Sequence, residues 1–129
     1  MITHEQTIEM LDRIEAALRG HALRAPDEAM LAAGVQCCLE LADIPSVPEL
    51  RLGEHGRVDF WVPVVEGRGG IAVELKTRAP FIEVMRQLGR YAKHDAVLGL
   101  VLVTTKMLAW PQEVAGTPLR TVSLALERL

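Results

Sequence analysis

Between Asp43 and Glu49 the spacing of the apolar residues changes from helical to alternating, and this change limits the fold more than any other feature of the chain. Before it, residues 3 to 19 place Ile8, Leu11, Ile14 and Leu18 on one side of a helix and Glu9, Asp12 and Arg13 on the other, with Gly20 as the stop. A second helix is predicted from Pro26 and Asp27 to about Asp43, with Leu31, Val35, Cys38, Leu39 and Ala42 as its buried stripe. Ile44-Pro45 and Pro48 then force a loop. Beyond the loop the period is two. Glu49 to Leu52 is predicted as a short strand, Gly53 to Gly56 as a tight turn, and Arg57 to Val65 as a longer strand with Val58, Phe60 and Val62 on one face. Gly67, Gly69 and Gly70 make the next turn, and Ile71 to Thr77 is the third strand. Phe81 to Lys93 returns to helical spacing, with Phe81, Val84, Leu88 and Ala92 toward the core. Val97 to Thr105 is a continuous apolar run of the kind a buried strand shows, and Leu119 to Leu126 is a final strand. The order α-α-β-β-β-α-β-β describes an α/β fold in which a central mixed sheet is flanked by helices.

Length and composition set the remaining bounds. The 129 residues are one domain's worth of chain, and the 50% hydrophobic content supplies a core that a disordered tail lacks. The longest apolar runs fall far short of a membrane span and no signal pattern opens the chain, so the expectation is a soluble, cytoplasmic protein. Cys37 and Cys38 are adjacent, which suits neither a disulfide framework nor a metal site; they read as packed thiols in a reducing compartment. Fourteen Lys and Arg against 17 Asp and Glu give a net charge of −3, a poor footprint for strong nonspecific nucleic-acid binding, although local basic patches remain open. Five aromatic residues, Phe60, Trp61, Phe81, Tyr91 and Trp110, argue against a stacking platform for single strands.

The informative residues are charges that interrupt apolar strands. Along Ile71 to Thr77, alternation sends Ile71, Val73 and Leu75 to one face and Ala72, Glu74 and Lys76 to the other. On the preceding strand Asp59 points opposite to Val58 and Phe60, and a turn centred near residue 67 or 68 sets Asp59 across from Lys76 or Glu74. Two carboxylates so placed repel each other and hold a proton unless a cation relieves them. Mg²⁺ prefers carboxylate oxygens and is completed by water and phosphate, so one Asp and one Glu suffice as protein ligands. An ammonium two residues beyond the Glu would orient the attacking water or stabilise charge building on a phosphate. This is a recipe for phosphodiester hydrolysis.

Arg57-Val58-Asp59-Phe60 followed by Ala72-Val73-Glu74-Leu75-Lys76-Thr77 resembles the PD-(D/E)XK nuclease superfamily, whose pattern is an acid on one strand and Glu-x-Lys on the next. Val58 stands where the family pattern has Pro. Gln87-Leu88-Gly89-Arg90-Tyr91 looks like the Q-x-x-x-Y signature of its RecB-like branch. The resemblance spans roughly residues 27 to 105 and leaves the first helix, residues 3 to 19, as an accessory. It implies a restriction-endonuclease-like core, Mg²⁺ with Mn²⁺ as substitute, and DNA as substrate. Asp59, Glu74 and Lys76 are then catalytic, with Asp59 and Glu74 holding the metal.

Helical geometry extends the set. Gln87 and Tyr91, four apart, share one side of their helix at the margin of its apolar stripe. Glu28 falls near the Leu31, Val35 and Ala42 face and Glu40 falls opposite, so Glu28 is the better third acid and metal ligand. Glu49 is an outside candidate. Arg90 and Arg78, with Arg51, Arg57, Arg86, Lys93 and Lys106, are the cations available to DNA phosphates, and Gln87 and Tyr91 join them as nucleic-acid contacts. The amphipathic first helix offers a symmetric contact for a homodimer.

Each feature also has an ordinary reading. Alternating charges on a strand are often a solvated face, Glu28 suits the first turn of any helix, and Arg86, Arg90 and Lys93 suit any exposed helix side. The four histidines lack ligand spacing, and Gly67 to Gly70 joins two strands rather than a strand and a helix, so neither zinc nor a phosphate cradle is indicated. Two rivals to a nuclease follow. One is a catalytically inactive binding or assembly module of the same fold, and the other is a small α/β protein whose charged face is simply wet.

Overall fold

The computed structural model describes residues 4–19, 27–65, 67–106 and 108–124. The expectations for Thr3, Gly20, His21, Pro26 and the last two residues of the final strand, 125 and 126, lie outside them. The elements are α1 (His4–Arg19), α2 (Glu28–Leu41), β1 (Val47–Arg51), β2 (Arg57–Val65), β3 (Gly69–Lys76), α3 (Phe81–Ala92), β4 (Val97–Thr104), β5 (Glu113–Val114) and β6 (Thr117–Ser123). They build one mixed sheet in the order β1-β2-β3-β4-β6-β5. β1, β2 and β3 are antiparallel neighbours, β3, β4 and β6 run parallel, and β5 turns back antiparallel on β6. Parallel neighbours need a crossover, and α3 supplies the one between β3 and β4.

Helices cover both faces. Leu11, Ile14 and Leu18 of α1 and Leu31 and Val35 of α2 pack with Ile71, Val73 and Leu75 of β3. On the opposite face Val84, Leu88 and Tyr91 of α3 pack with Ala72, Leu100 and Leu102. β3 and β4 are therefore enclosed on two sides, which is why they read as apolar runs. α2 starts cleanly because the Asp27 carboxylate accepts the Met30 N–H at 2.8 Å, a cap worth about 1 kcal/mol. At Gly70 a β-carbon would sit 2.5 Å from the Val62 carbonyl oxygen, so only glycine lets β2 and β3 approach there.

Several sequence expectations need correction. In α1, Leu11, Ile14 and Leu18 are fully buried in the same cluster as the sheet, each contributing about 1.5–3 kcal/mol. The stripe that offered a symmetric contact is thus spent on the core. Arg120 of β6 ties the helix down further through Asp12 and Glu15, at 2.7 and 3.0 Å. Val58 does not share a face with Phe60 and Val62; it belongs to the α3 side while they belong to the α1 and α2 side. The alternation fails at Asp59, where the neighbouring strand is also irregular, with Glu49 exposed at φ +55°. Phe81 is 42% exposed and lies against Trp110 instead of entering the core. Cys38 is buried but Cys37 is exposed. β5 escaped prediction because two residues carry no period.

Candidate active site

The site forms where β2 and β3 part. Their backbone pairing runs from Val65 and Gly69 down to Phe60 and Val73, and one residue further the pairing would set Asp59 against Glu74. There the side chains take over from the ladder. The Asp59 carboxylate accepts the Leu75 N–H at 2.8 Å, and the Glu74 carboxylate accepts the Asp59 N–H at 3.4 Å. Each acid thus holds a backbone amide of the opposing strand, and the two carboxyls are brought together.

Glu74 is 1% exposed. Its Oε2 lies 3.0 Å from the Tyr91 hydroxyl and 3.8 Å from Lys76 Nζ. Burial, reinforced by the hydrogen bond and charge of Asp59, pushes its pKa up to about 9, while Lys76 and the Tyr91 hydroxyl pull the other way. Glu74 therefore carries a proton at neutral pH. The Tyr91 hydroxyl accepts from Gln87 Nε2 at 2.7 Å and donates to the Arg57 carbonyl at 2.7 Å. That single proton is shared with Glu74 Oε2, toward which the hydroxyl also donates at 3.0 Å, the contact that favours the charged carboxylate. Burial and the neighbouring Glu74 raise the Tyr91 pKa further, so the phenol stays neutral.

α3 and the turn before β2 hold this network in place. Tyr91 is fully buried, not marginal, because Val84, Leu88 and Tyr91 follow the i, i+4, i+7 core spacing. Gly56, at φ +108°, precedes Arg57 and accepts the Leu52 N–H at 2.7 Å, so the chain enters β2 with the Arg57 carbonyl facing Tyr91. This carbonyl and the Leu75 amide are the parts that residue types alone do not disclose, since the backbone leaves no mark in the side-chain pattern.

The remaining candidates fall around this centre. Glu28, in the first turn of α2, accepts the Thr77 N–H at 3.3 Å, so it holds the end of β3 just past Lys76. Among the described residues no group of three or more His, Cys, Asp and Glu gathers as metal ligands would, so the structure assembles Asp59 and Glu74 without joining Glu28 to them in such a group. Glu49 is exposed, and Glu40 pairs with Gln36 instead. Gln87 and Arg90 line a shallow groove of about 310 Å³ with Glu83 and Arg86 on α3, and Arg78 is exposed beyond Lys76. Chemically, the centre offers hard carboxylate oxygens, a proton on Glu74 that a cation could replace, and an ammonium beside them. Among the described residues no helix is long and apolar enough to cross a membrane. No protein-family model, curated protein or solved structure matches this chain.

Proposed function

We propose that this chain is a Mg²⁺-dependent deoxyribonuclease of the PD-(D/E)XK type, hydrolysing DNA phosphodiester bonds. The observation that carries the reading is the meeting of Asp59, Glu74 and Lys76 where the β2–β3 ladder gives way to side chains. The donor set suits the ion: two carboxylates are hard oxygen ligands, and the buried Glu74 keeps a proton until another positive charge takes its place. Asp59 and Glu74 would hold Mg²⁺ or Mn²⁺, which supplies charge neutralisation at the phosphate and a more acidic water. Lys76, with 22% of its side chain exposed, keeps its ammonium at the mouth of the site, where it stabilises charge growing on the phosphate oxygens. Tyr91 and Gln87 fix Glu74 from behind, and Glu28 fixes the backbone after Lys76. Arg90 and Arg78 are the exposed cations for flanking phosphates.

The test is cleavage of supercoiled, linear and junction DNA with Mg²⁺, Mn²⁺ or EDTA. Metal-dependent cleavage that Lys76→Ala abolishes supports the reading; cleavage that survives EDTA or the Lys76 variant overturns it. A second reading, a catalytically silent module of the same architecture, draws on the depth of Glu74, since a neutral acid bonded to Tyr91 is also a stable polar core. Calorimetry separates the two, because a silent module binds its partner and takes up no Mg²⁺.

A further inference from the structure

We propose that Phe81 and Trp110 form a stacking surface for one unpaired nucleobase, so that the preferred substrate is a duplex with a single-stranded tail. The inference rests on the nuclease reading for its choice of ligand and draws on a different part of the molecule. Isolated exposed aromatics are ordinary on a protein surface, so the surroundings of this pair decide its meaning.

Both rings lie on the chains that leave the ends of β3 and β4, where β3 finishes at Lys76. Lys76 pairs in register with Thr104 of β4, and one residue on, Thr105 donates its hydroxyl to the Thr77 carbonyl at 2.7 Å. The two chains thus leave the sheet side by side, one into Arg78 and Phe81, the other into Lys106 and Trp110. The second chain is pinned. The Lys106 carbonyl accepts from the Trp110 indole N–H at 3.3 Å and from the Ser123 hydroxyl at 3.2 Å, and Trp110 packs against the α3-side core. With its one donor satisfied inside the protein, the indole works as a stiff support and not as a hydrogen-bonding edge. Phe81 lies on it at 5.0 Å between ring centroids, tilted by 37°, and remains 42% exposed. Exposed Ile82 and Leu108 add apolar surface on either chain.

Charge selects the occupant. Lys76, Arg78 and Lys106 leave the sheet on these same two chains, and Glu28 is the acid bonded there, while Glu83 faces the groove with Arg86 and Arg90. A second copy docked on the patch would set these cations against their own duplicates, whereas a nucleic-acid strand brings phosphates to them and a base to the rings. The five residue steps from Lys76 to Phe81 span at most about 18 Å, a distance a short tail covers when its duplex occupies the site. Five aromatics are too few for an extended platform, but two suffice for one base.

The experiment measures binding of the full chain, in EDTA, to one duplex with a blunt end, a short thymine tail or the same tail made of abasic residues. The thymine tail is expected to bind about 5- to 150-fold tighter than the other two. Phe81→Ala, whose exposed ring leaves the core untouched, and Trp110→Ala erase the preference, and Trp110→Phe restores part of it. Equal affinity for the three ends, or a preference that survives Phe81→Ala, overturns the proposal. So does a Phe81→Ala variant that changes only self-association in sedimentation. Metal-dependent cleavage without tail preference removes this inference alone, and base-dependent tail binding without cleavage removes the nuclease reading alone.

Discussion

The Asp59 carboxylate accepts the Leu75 amide N–H at 2.8 Å, so the acid proposed as a metal ligand also closes the end of the β2–β3 ladder. These two duties separate by substitution. Asp59→Asn retains an oxygen for the Leu75 N–H and loses the charge; Asp59→Ala loses both and leaves a buried amide unpaired. The Asn variant is expected to keep its urea midpoint while Mg²⁺ affinity and cleavage fall at least about tenfold. The Ala variant is expected to be destabilised by about 1–3 kcal/mol as well. Urea denaturation beside calorimetry checks both, and an Asn variant with full Mg²⁺ affinity would remove Asp59 from the ligand set.

Glu74 ties stability to pH. Its pKa is about 9 in the folded chain against an ordinary value of 4.5, so below about 4.5 it is protonated whether the chain is folded or not. Between those values the folded chain holds a proton that the unfolded chain has released, and stability falls as pH rises through this window, levelling off above about 9. The slope contributed by one such group is at most about 1.4 kcal/mol per pH unit. Glu74→Gln, which imitates the neutral acid, is expected to flatten the dependence and to gain stability over the parent at pH 8 in EDTA. Thermal melts across pH 5 to 9 decide this; parallel curves for parent and variant would show that Glu74 is ionised when folded. The same proton competes with metal, so apparent Mg²⁺ affinity is expected to rise by up to about tenfold per pH unit below pH 9.

Tyr91 joins three elements through one oxygen: Gln87 on its own helix, the Arg57 carbonyl at the start of β2, and Glu74 on β3. Removing that oxygen leaves a carbonyl and an acid without their partner inside a closed core. Tyr91→Phe keeps the ring and is expected to cost about 1–3 kcal/mol of stability and to lower Mg²⁺ affinity by loosening Glu74. Gln87→Ala removes only a donor to Tyr91 and is expected to cost about 1 kcal/mol or less. Equal losses for the two variants in chemical denaturation would contradict the central place given to the hydroxyl.

Much of this centre was legible because charge is costly where it interrupts apolar alternation. Glu74 between Val73 and Leu75 and Asp59 between Val58 and Phe60 stand out in the sequence, and hairpin pairing brings the two within one residue of register. The elements were legible for the same reason, since a stripe at helical spacing and a run at period two bury different faces. What stayed hidden depends on backbone that leaves the regular ladder. Val58 joins the α3-side cluster while Phe60 and Val62 join the other, beside the irregular Glu49 of β1, and no periodicity records such a local departure. Phe81 follows the spacing of a core residue but starts its helix just past the end of β3, where Trp110 waits in a loop that has no period at all. Tyr91 reads as marginal when the stripe is anchored on Phe81 and Ala92, and as central once Val84 and Leu88 set its direction.

Lys76 provides the sharpest separation between chemistry and architecture. Its ammonium lies 3.8 Å from Glu74 Oε2 with part of the side chain open to solvent, and such a partly exposed pair adds at most about 1 kcal/mol to stability. In the proposed hydrolysis the same charge would act where negative charge develops, and its loss is expected to cost about 10²- to 10³-fold in cleavage rate. Lys76→Met keeps the apolar stem and removes only the charge, so its thermal melt should match the parent while cleavage collapses. Mg²⁺ binding should persist, because the carboxylates remain, although with the ammonium gone Glu74 holds its proton more tightly and the binding curve moves to higher pH. Lys76→Arg restores the charge on a wider, planar head that cannot occupy the same point, and recovers only part of the rate. A Met variant that cleaves at the parental rate would leave Lys76 a solvated neighbour of Glu74 and take the hydrolytic reading with it.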